Sequence, residues 1–253
     1  MFKFLEDIRK YGHDLLGHSL GVASYSVYIG GLGGACPEDV PALAAGALLH
    51  DLGKTSLDPE VLNKPGPLTP GEWAQVRMHP VAGALMLAGE LPAKPTRMLA
   101  GRRSGWPGEV LEVVLFHHEH WAGTGYYGYP GESIPLYARV VALADALDAM
   151  TSVRSYRGPL SPDEVLRELK KGAGRQFDPE LSAKVVRALE KGPGLSGDIR
   201  SPDGFVELLY RTVFSLGGGM GRTNLSREKR GELRELALAV EGLKARSASG
   251  EGI

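Results

Sequence analysis

The sequence predicts an all-α protein. Three observations carry that expectation. Apolar residues recur at helical spacing through most of the 253 residues, and no strand alternation lasts long enough to make a sheet. Capping residues followed by proline mark several helix starts. The two longest apolar-periodic segments, 38–51 and 135–152, have the character of helices buried inside a bundle.

The spacing predicts helices near 13–30, 38–51, 70–77, 80–90, 108–118, 135–152, 162–171, 179–191, 203–215 and 226–245. Thr69-Pro70-Gly71-Glu72 and Ser161-Pro162-Asp163-Glu164 read as capping boxes. Asp58-Pro59, Asp178-Pro179 and Ser201-Pro202 repeat the cap and proline without the reaching glutamate. GPGLSGDIRSPDG (192–204) reads as a linker, and LGGGMG (216–221) breaks the tail again. This divides the chain into a main domain, 1–191, and a C-terminal helical extension, 192–253. In the extension, Leu233, Leu236, Val240 and Leu243 are spaced for an amphipathic helix, suited to packing on the bundle or to a dimer seam.

The totals exclude some classes. The formal net charge of −1 builds no field for a nucleic acid polymer or an acidic membrane. The one cysteine, Cys36, allows no internal disulfide and fits a reducing compartment. MFKFLEDIRKYG mixes acids with apolar residues, unlike a signal peptide. The longest apolar run is far short of the ~20 residues a membrane helix needs. These features predict a soluble cytoplasmic protein.

Several polar groups sit where a buried helix should not carry them. Helix 38–51 ends in His50-Asp51, and Asp145 and Asp148 interrupt ARVVALADALDAM three residues apart. Asp14 and His18 share a face four apart. With His79 and the adjacent pair His117-His118, the donors are three carboxylates (Asp14, Asp51, Asp145) and five imidazoles. That is too many for one tetrahedral zinc. It suits two or three octahedral ions, iron or manganese best, with no thiolate. Adjacent residues cannot share a helix face, but near a helix end they can serve one cluster.

Each residue alone has a plainer role. A single histidine on an apolar helix is usually bonded to a carbonyl, and an aspartate near a helix end is usually a cap. Asp148 is assigned here to an ion pair with Arg154 or Arg157, and His13 and His120 to structural or solvated positions. The set outweighs the singles, because all seven histidines precede residue 121.

These residues resemble a known family. LLHDLGK (48–54) resembles the HD motif of metal-dependent phosphohydrolases. LDPEVLNKPGPLTPGEWAQVRMHP (57–80), HHEHWAGTGYYGYP (117–130), IPLYARVVALADALDAMTSVRSYR (134–157) and GRQFDPEL (174–181) are similar, in order, to the HD-GYP subfamily over residues 10–190. The resemblance implies an HD-type helical bundle with a two- or three-metal centre that hydrolyses cyclic di-GMP or, in some members, cyclic GMP-AMP. It implies His18, His50, Asp51, His79, His117, His118 and Asp145 as ligands, with Asp14 at a position the family varies. It implies Lys54 reaching a phosphate, and Arg154 and Arg157 beside the substrate.

The signature loop departs from the family. HHE-x-x-DGxGYP is usual, yet Ala122 replaces the aspartate and Tyr127 the proline, and a second Gly-Tyr-Pro follows at 128–130. This loop is expected to cover the metal site and shape the pocket, with Tyr126 lining it or stacking. The Pro/Gly/Arg-rich segment 91–108 is either a solvated loop or a flap carrying Arg97, Arg102 or Arg103 toward phosphate.

The expected mechanism is attack on a phosphodiester by a metal-bridging hydroxide, with Asp51 orienting it and Lys54 stabilising phosphoryl charge. A small-molecule nucleotide is the expected partner, with a homodimer possible. Two rival readings stay open: an HD phosphohydrolase for another phosphate ester, and a binding module with little turnover.

Overall fold

The computed structural model describes residues 2–11, 13–88, 107–152 and 158–191, together with the isolated Leu238; the side chains of Phe2, His13 and Asp14 are outside that description. Every regular element among the described residues is helical, apart from one isolated bridge between Ala173 and Phe177. The helices are α1 (Phe2–Tyr11), α2 (His13–Gly33), α3 (Val40–Leu49), α4 (Pro59–Leu62), α5 (Pro70–Val76), α6 (His79–Leu87), α7 (Gly108–Phe116), α8 (Leu136–Thr151), α9 (Pro162–Gly172) and α10 (Pro179–Glu190). Short 3-10 turns occupy Leu52–Ser56 and Gly131–Ser133.

The bundle is built around α3. Its sequence, VPALAAGALL, is apolar all round, and all ten residues are buried. An all-apolar helix must be covered on every side, and α2, α7 and α1 pack against it. α2 also carries α8, and α7 touches both α6 and α8. The core runs through Leu20, Val27, Leu43, Leu48, Val113, Val141 and Leu147.

The helix starts follow the cap chemistry. The Thr69–Glu72 and Ser161–Glu164 boxes both close reciprocally. Asp58 accepts from Glu60 N, and Asp178 from Glu180 N and Leu181 N. Asp178 also accepts from Arg139 Nη1 at 2.7 Å, which ties α10 to α8.

Two elements are additional to the sequence expectation. In α1, Leu5 and Ile8 are fully buried, and Tyr11 donates to Leu57 O at 3.0 Å. This helix is only ten residues long, and the packing of one apolar stripe holds it. α4 is a single turn begun by Asp58-Pro59. Apart from the isolated Leu238, the predicted helices at 203–215 and 226–245, the linker 192–204 and nearly all of segment 91–108 lie outside the described residues. No described helix is long and apolar enough to cross a membrane.

Candidate metal centre

Five segments meet at one point in the bundle, three of them at helix ends. His18 comes from α2, His50 caps the C-terminal end of α3, and Asp51 follows as it leads into the 3-10 turn. His79 opens α6, His117 caps α7 with His118 next, and Asp145 lies on α8. Helix ends let adjacent residues converge, because the chain turns there.

Backbone proximity brings them together. A Cβ on Gly53 would lie 1.9 Å from His79 O and 2.5 Å from Gly83 N. Only glycine lets the Asp51 turn press this close to the start of α6.

The hydrogen bonds fix the ring tautomers. Nδ1 of His50 lies 2.8 Å from Ala47 O, Nδ1 of His79 2.7 Å from Val76 O, and Nδ1 of His117 2.9 Å from Val114 O. A carbonyl oxygen only accepts, so each Nδ1 donates. In the neutral imidazole the opposite Nε2 is then a bare lone pair, and the Nε2 atoms of His79 and His117 face each other at 3.3 Å. Two facing lone pairs repel unless a cation lies between them.

Asp51 completes the set. It is 1 % exposed. Its Oδ1 is 3.2 Å from His79 Nε2 and 3.8 Å from His117 Nε2, and its Oδ2 is 3.3 Å from His50 Nε2. Oδ1 of Asp51 and Nε2 of His50 are nevertheless buried without a well-directed hydrogen bond. Orphaned buried acceptors of this kind are costly. The donor atoms fall into two groups, Asp51 with His79, His117 and His118, and Asp51 with His18 and His50, each within 4.8 Å. These residues fit a divalent metal cluster, with Asp51 common to both groups.

His18 is held from the other side. Its Nδ1 donates to Asp148 Oδ2 at 2.8 Å, and its Nε2 stands 3.3 Å from Asp145 Oδ1 and 3.7 Å from Asp51 Oδ2. Asp148 thus has His18 as a partner, while the expected ion pair with Arg154 or Arg157 falls on residues outside the description. Asp148 is 1 % exposed on the bundle side of α8, so it reaches an inward imidazole. Arg154 and Arg157 lie outside the described residues, as does the side chain of Asp14. Asp145 belongs to neither of the two donor groups and joins the cluster through its contact with His18.

Charge follows from this packing. Burial pushes the His117 imidazole well below its ordinary value, and His118, His50 and His79 push it further. Burial and His79 lower His118 to about 3. Burial opposes ionisation of Asp51, but Lys54 and His50 together outweigh it and hold the carboxyl well down. Burial likewise opposes charge on Lys54, and Asp51, whose Oδ2 accepts from Nζ at 2.5 Å, keeps the ammonium.

The Gly/Tyr stretch folds over the cluster. The Tyr126 ring lies 4.5 Å from the His118 ring and 6.3 Å from His79. Arg77 donates to Tyr126 O and sits 5.0 Å above its ring. Gly125 is compelled: a Cβ there would meet Glu119 Cα at 2.5 Å and His118 O at 2.6 Å. Gly123 and Gly128 have φ of 74° and 82°.

Sequence reasoning passed over Glu119. It is 2 % exposed and accepts from Tyr127 N at 2.6 Å and Tyr129 N at 2.7 Å, pinning the loop. The available signal was a carboxylate beside a glycine-rich loop whose amides need acceptors. His120, expected to be structural or solvated, contacts Thr124 Oγ1 through Nδ1 at 3.1 Å.

Comparison with known proteins agrees with this geometry. The family model described as HD domain matches residues 15–181. A "Probable cyclic di-GMP phosphodiesterase" of Vibrio cholerae is 37% identical over 144 residues, 56% of this chain and 31% of its own length. "Cyclic di-GMP phosphodiesterase PA4108" of Pseudomonas aeruginosa is 39% identical over 143 residues, 56% of this chain and 31% of its own. The chain therefore spans about a third of the length of these curated relatives. Among solved structures, a HDG"Y"P protein from Bdellovibrio bacteriovorus shares the fold with a TM-score of 0.51 at 20% identity, covering 68% of this chain and 51% of that one. A cyclic GMP-AMP specific phosphodiesterase of Vibrio cholerae gives a TM-score of 0.51 at 18% identity, covering 99% and 60%. With its metal-binding arrangement of histidines and aspartates on an all-helical scaffold, the chain belongs to the HD domain family.

Proposed function

We propose that this chain is a metal-dependent phosphodiesterase that opens a cyclic dinucleotide, with cyclic di-GMP as the first candidate. The observation that carries the reading is the pair of donor groups sharing Asp51, with the His79 and His117 lone pairs facing across 3.3 Å. The names of the relatives supply the substrate class.

His18, His50, Asp51, His79, His117, His118 and Asp145 would hold two ions, with Asp14 the candidate ligand for a third. Imidazole and carboxylate donors without thiolate favour iron or manganese. Bound divalent ions supply Lewis acidity and a nucleophilic water at neutral pH.

The remaining work belongs to the chain. Asp51, held as a carboxylate, orients hydrogen-bond donors at the centre. Lys54 keeps its proton beside Asp51 and stabilises charge on the phosphoryl oxygens. Arg154 and Arg157 are candidate phosphate contacts. Burial raises the Tyr126 hydroxyl above its ordinary value, so it stays protonated, a candidate donor to substrate beside the His118 ring. We place the catalytic unit in residues 1–191, with 192–253 as an extension to it.

A second reading is cyclic GMP-AMP as substrate. Three Vibrio cholerae relatives carry that specificity in their names, including one 33% identical over 178 residues. Ala122 and Tyr127 in the loop over the site give it a place to act. The test is incubation of manganese- or iron-loaded protein with cyclic di-GMP, cyclic GMP-AMP and a panel of other phosphate esters. Linear dinucleotide or mononucleotide product from the first supports the main reading. Turnover of none of them contradicts it and leaves a binding module.

A further inference from the structure

A cavity of about 550 Å³ opens beside the donor cluster. His117, His118 and Asp145 form one end of it. Its volume is in the range that accepts nucleotide-sized ligands. One wall is a face of α8 made of small side chains, Ala142, Ala146 and Ala149, spaced four and three apart beside Asp145. The far wall is the end of α9 and the turn into α10, where Lys171 and Arg175 reach the cavity.

We propose that Lys171 and Arg175 form a second phosphate subsite, which binds the phosphodiester that is not being cleaved. This rests on the phosphodiesterase reading and deepens it. A cyclic dinucleotide carries two phosphates. With one at Asp51 and Lys54, the other must lie elsewhere on the same ligand and needs a cation there. Arg175 makes no ion pair among the described residues, and Lys171 has only Glu168 at 3.7 Å, an exposed pair one turn away. Surface pairs of that kind hold a charge weakly. Glu168 lines the same wall and would be displaced from Lys171 by a phosphate. The guanidinium suits a two-oxygen contact.

The turn is held in register with the centre. Ala122 N donates to Arg175 O at 2.8 Å, and Trp121 N to Gln176 O at 3.1 Å. These bonds run from the Gly/Tyr loop, which Glu119 pins next to His118. Gly174, at φ 73°, closes the turn by donating to Phe177 O at 2.9 Å. The two cations thus stand on a backbone fixed to the metal-side wall, a preorganised arrangement.

The test compares ligands with two phosphates and with one. Equilibrium binding of GMP and of a non-hydrolysable phosphorothioate analogue of cyclic di-GMP to the metal-loaded chain is measured for wild type, Lys171→Ala/Arg175→Ala and Arg175→Lys. The double variant should weaken the analogue about tenfold more than it weakens GMP, and Arg175→Lys should recover part of that loss. Where turnover is measured, the loss should fall on KM more than on kcat. An equal effect on both ligands overturns the subsite. Hydrolysis of bis(p-nitrophenyl) phosphate by wild type reads the phosphodiesterase proposal separately, since that diester has one phosphate. Its absence would contradict that proposal while the binding comparison still decides the subsite.

Discussion

Nε2 of His79 stands 3.3 Å from Nε2 of His117, and each ring donates its Nδ1 proton to a carbonyl three residues earlier. Neither nitrogen has a proton to offer the other in the neutral form, so the pair is stable only around a positive charge. It follows that metal should stabilise the fold. A divalent ion at a hundredfold over its Kd should add about 2.7 kcal/mol of stability, and chelation should remove it. Thermal melting with and without a chelator checks this; a melting temperature indifferent to metal counts against the cluster.

Asp148 acts through His18. Asp148→Asn should keep the bundle folded yet weaken metal binding by about ten- to hundredfold, because His18 loses the carboxylate that orients its ring. Titration with manganese, followed by calorimetry, measures the change. Unchanged affinity would reduce Asp148 to a packing residue.

Glu119 pins the loop and is a member of neither donor group of the centre. Glu119→Ala should leave the Tyr127 and Tyr129 amides without their acceptor and cost about 1–3 kcal/mol. Limited proteolysis near residue 127 should become faster than in wild type, and Glu119→Gln should recover part of the loss.

Gly53 has no room for a side chain. Gly53→Ala puts a methyl carbon against His79 O, and the required backbone shift should cost about 3 kcal/mol or more. Loss of bound metal at a temperature where wild type retains it is the expected readout.

Glu72 supplies a pH dependence away from the centre. Hydrogen bonds from Lys64 and then from Thr69 N hold its carboxyl at about 2, below its unfolded value. A depressed acid stabilises the fold above the unfolded pKa, and the benefit fades as pH falls from about 4.3 toward 2. The melting-temperature gap between wild type and Glu72→Gln should therefore narrow across that window. A gap that stays constant would show that the carboxylate's charge plays no part.

Much of the fold was legible because its signals are local. Thr69, Ser161, Asp58 and Asp178 announce helix starts through their own hydrogen bonds. The buried α3 shows itself by lacking a polar face. α1 was less legible: it is short, and its stability comes from burying Leu5 and Ile8 against α2, α3 and the Leu52–Ser56 turn. At the centre, residue types and helix-end positions pointed to His50, Asp51, His79, His117 and His118. Spacing along the chain could not reveal that Asp148 faces His18, since 130 residues separate them. Glu119 was harder to read because its partners are backbone amides, so the only signal is a carboxylate next to a glycine-rich loop. The cations of the α9–α10 turn were equally silent, since only the folded chain brings them to the same cavity as Asp145.

The most direct measurement is elemental analysis of the purified chain after loading with iron or manganese, in wild type and in Asp51→Ala. The account predicts about two ions per wild-type chain and loss of both sites in the variant, because both donor groups share that carboxylate. A wild-type chain that carries no stoichiometric metal, or an Asp51→Ala variant that keeps its full complement, would contradict it.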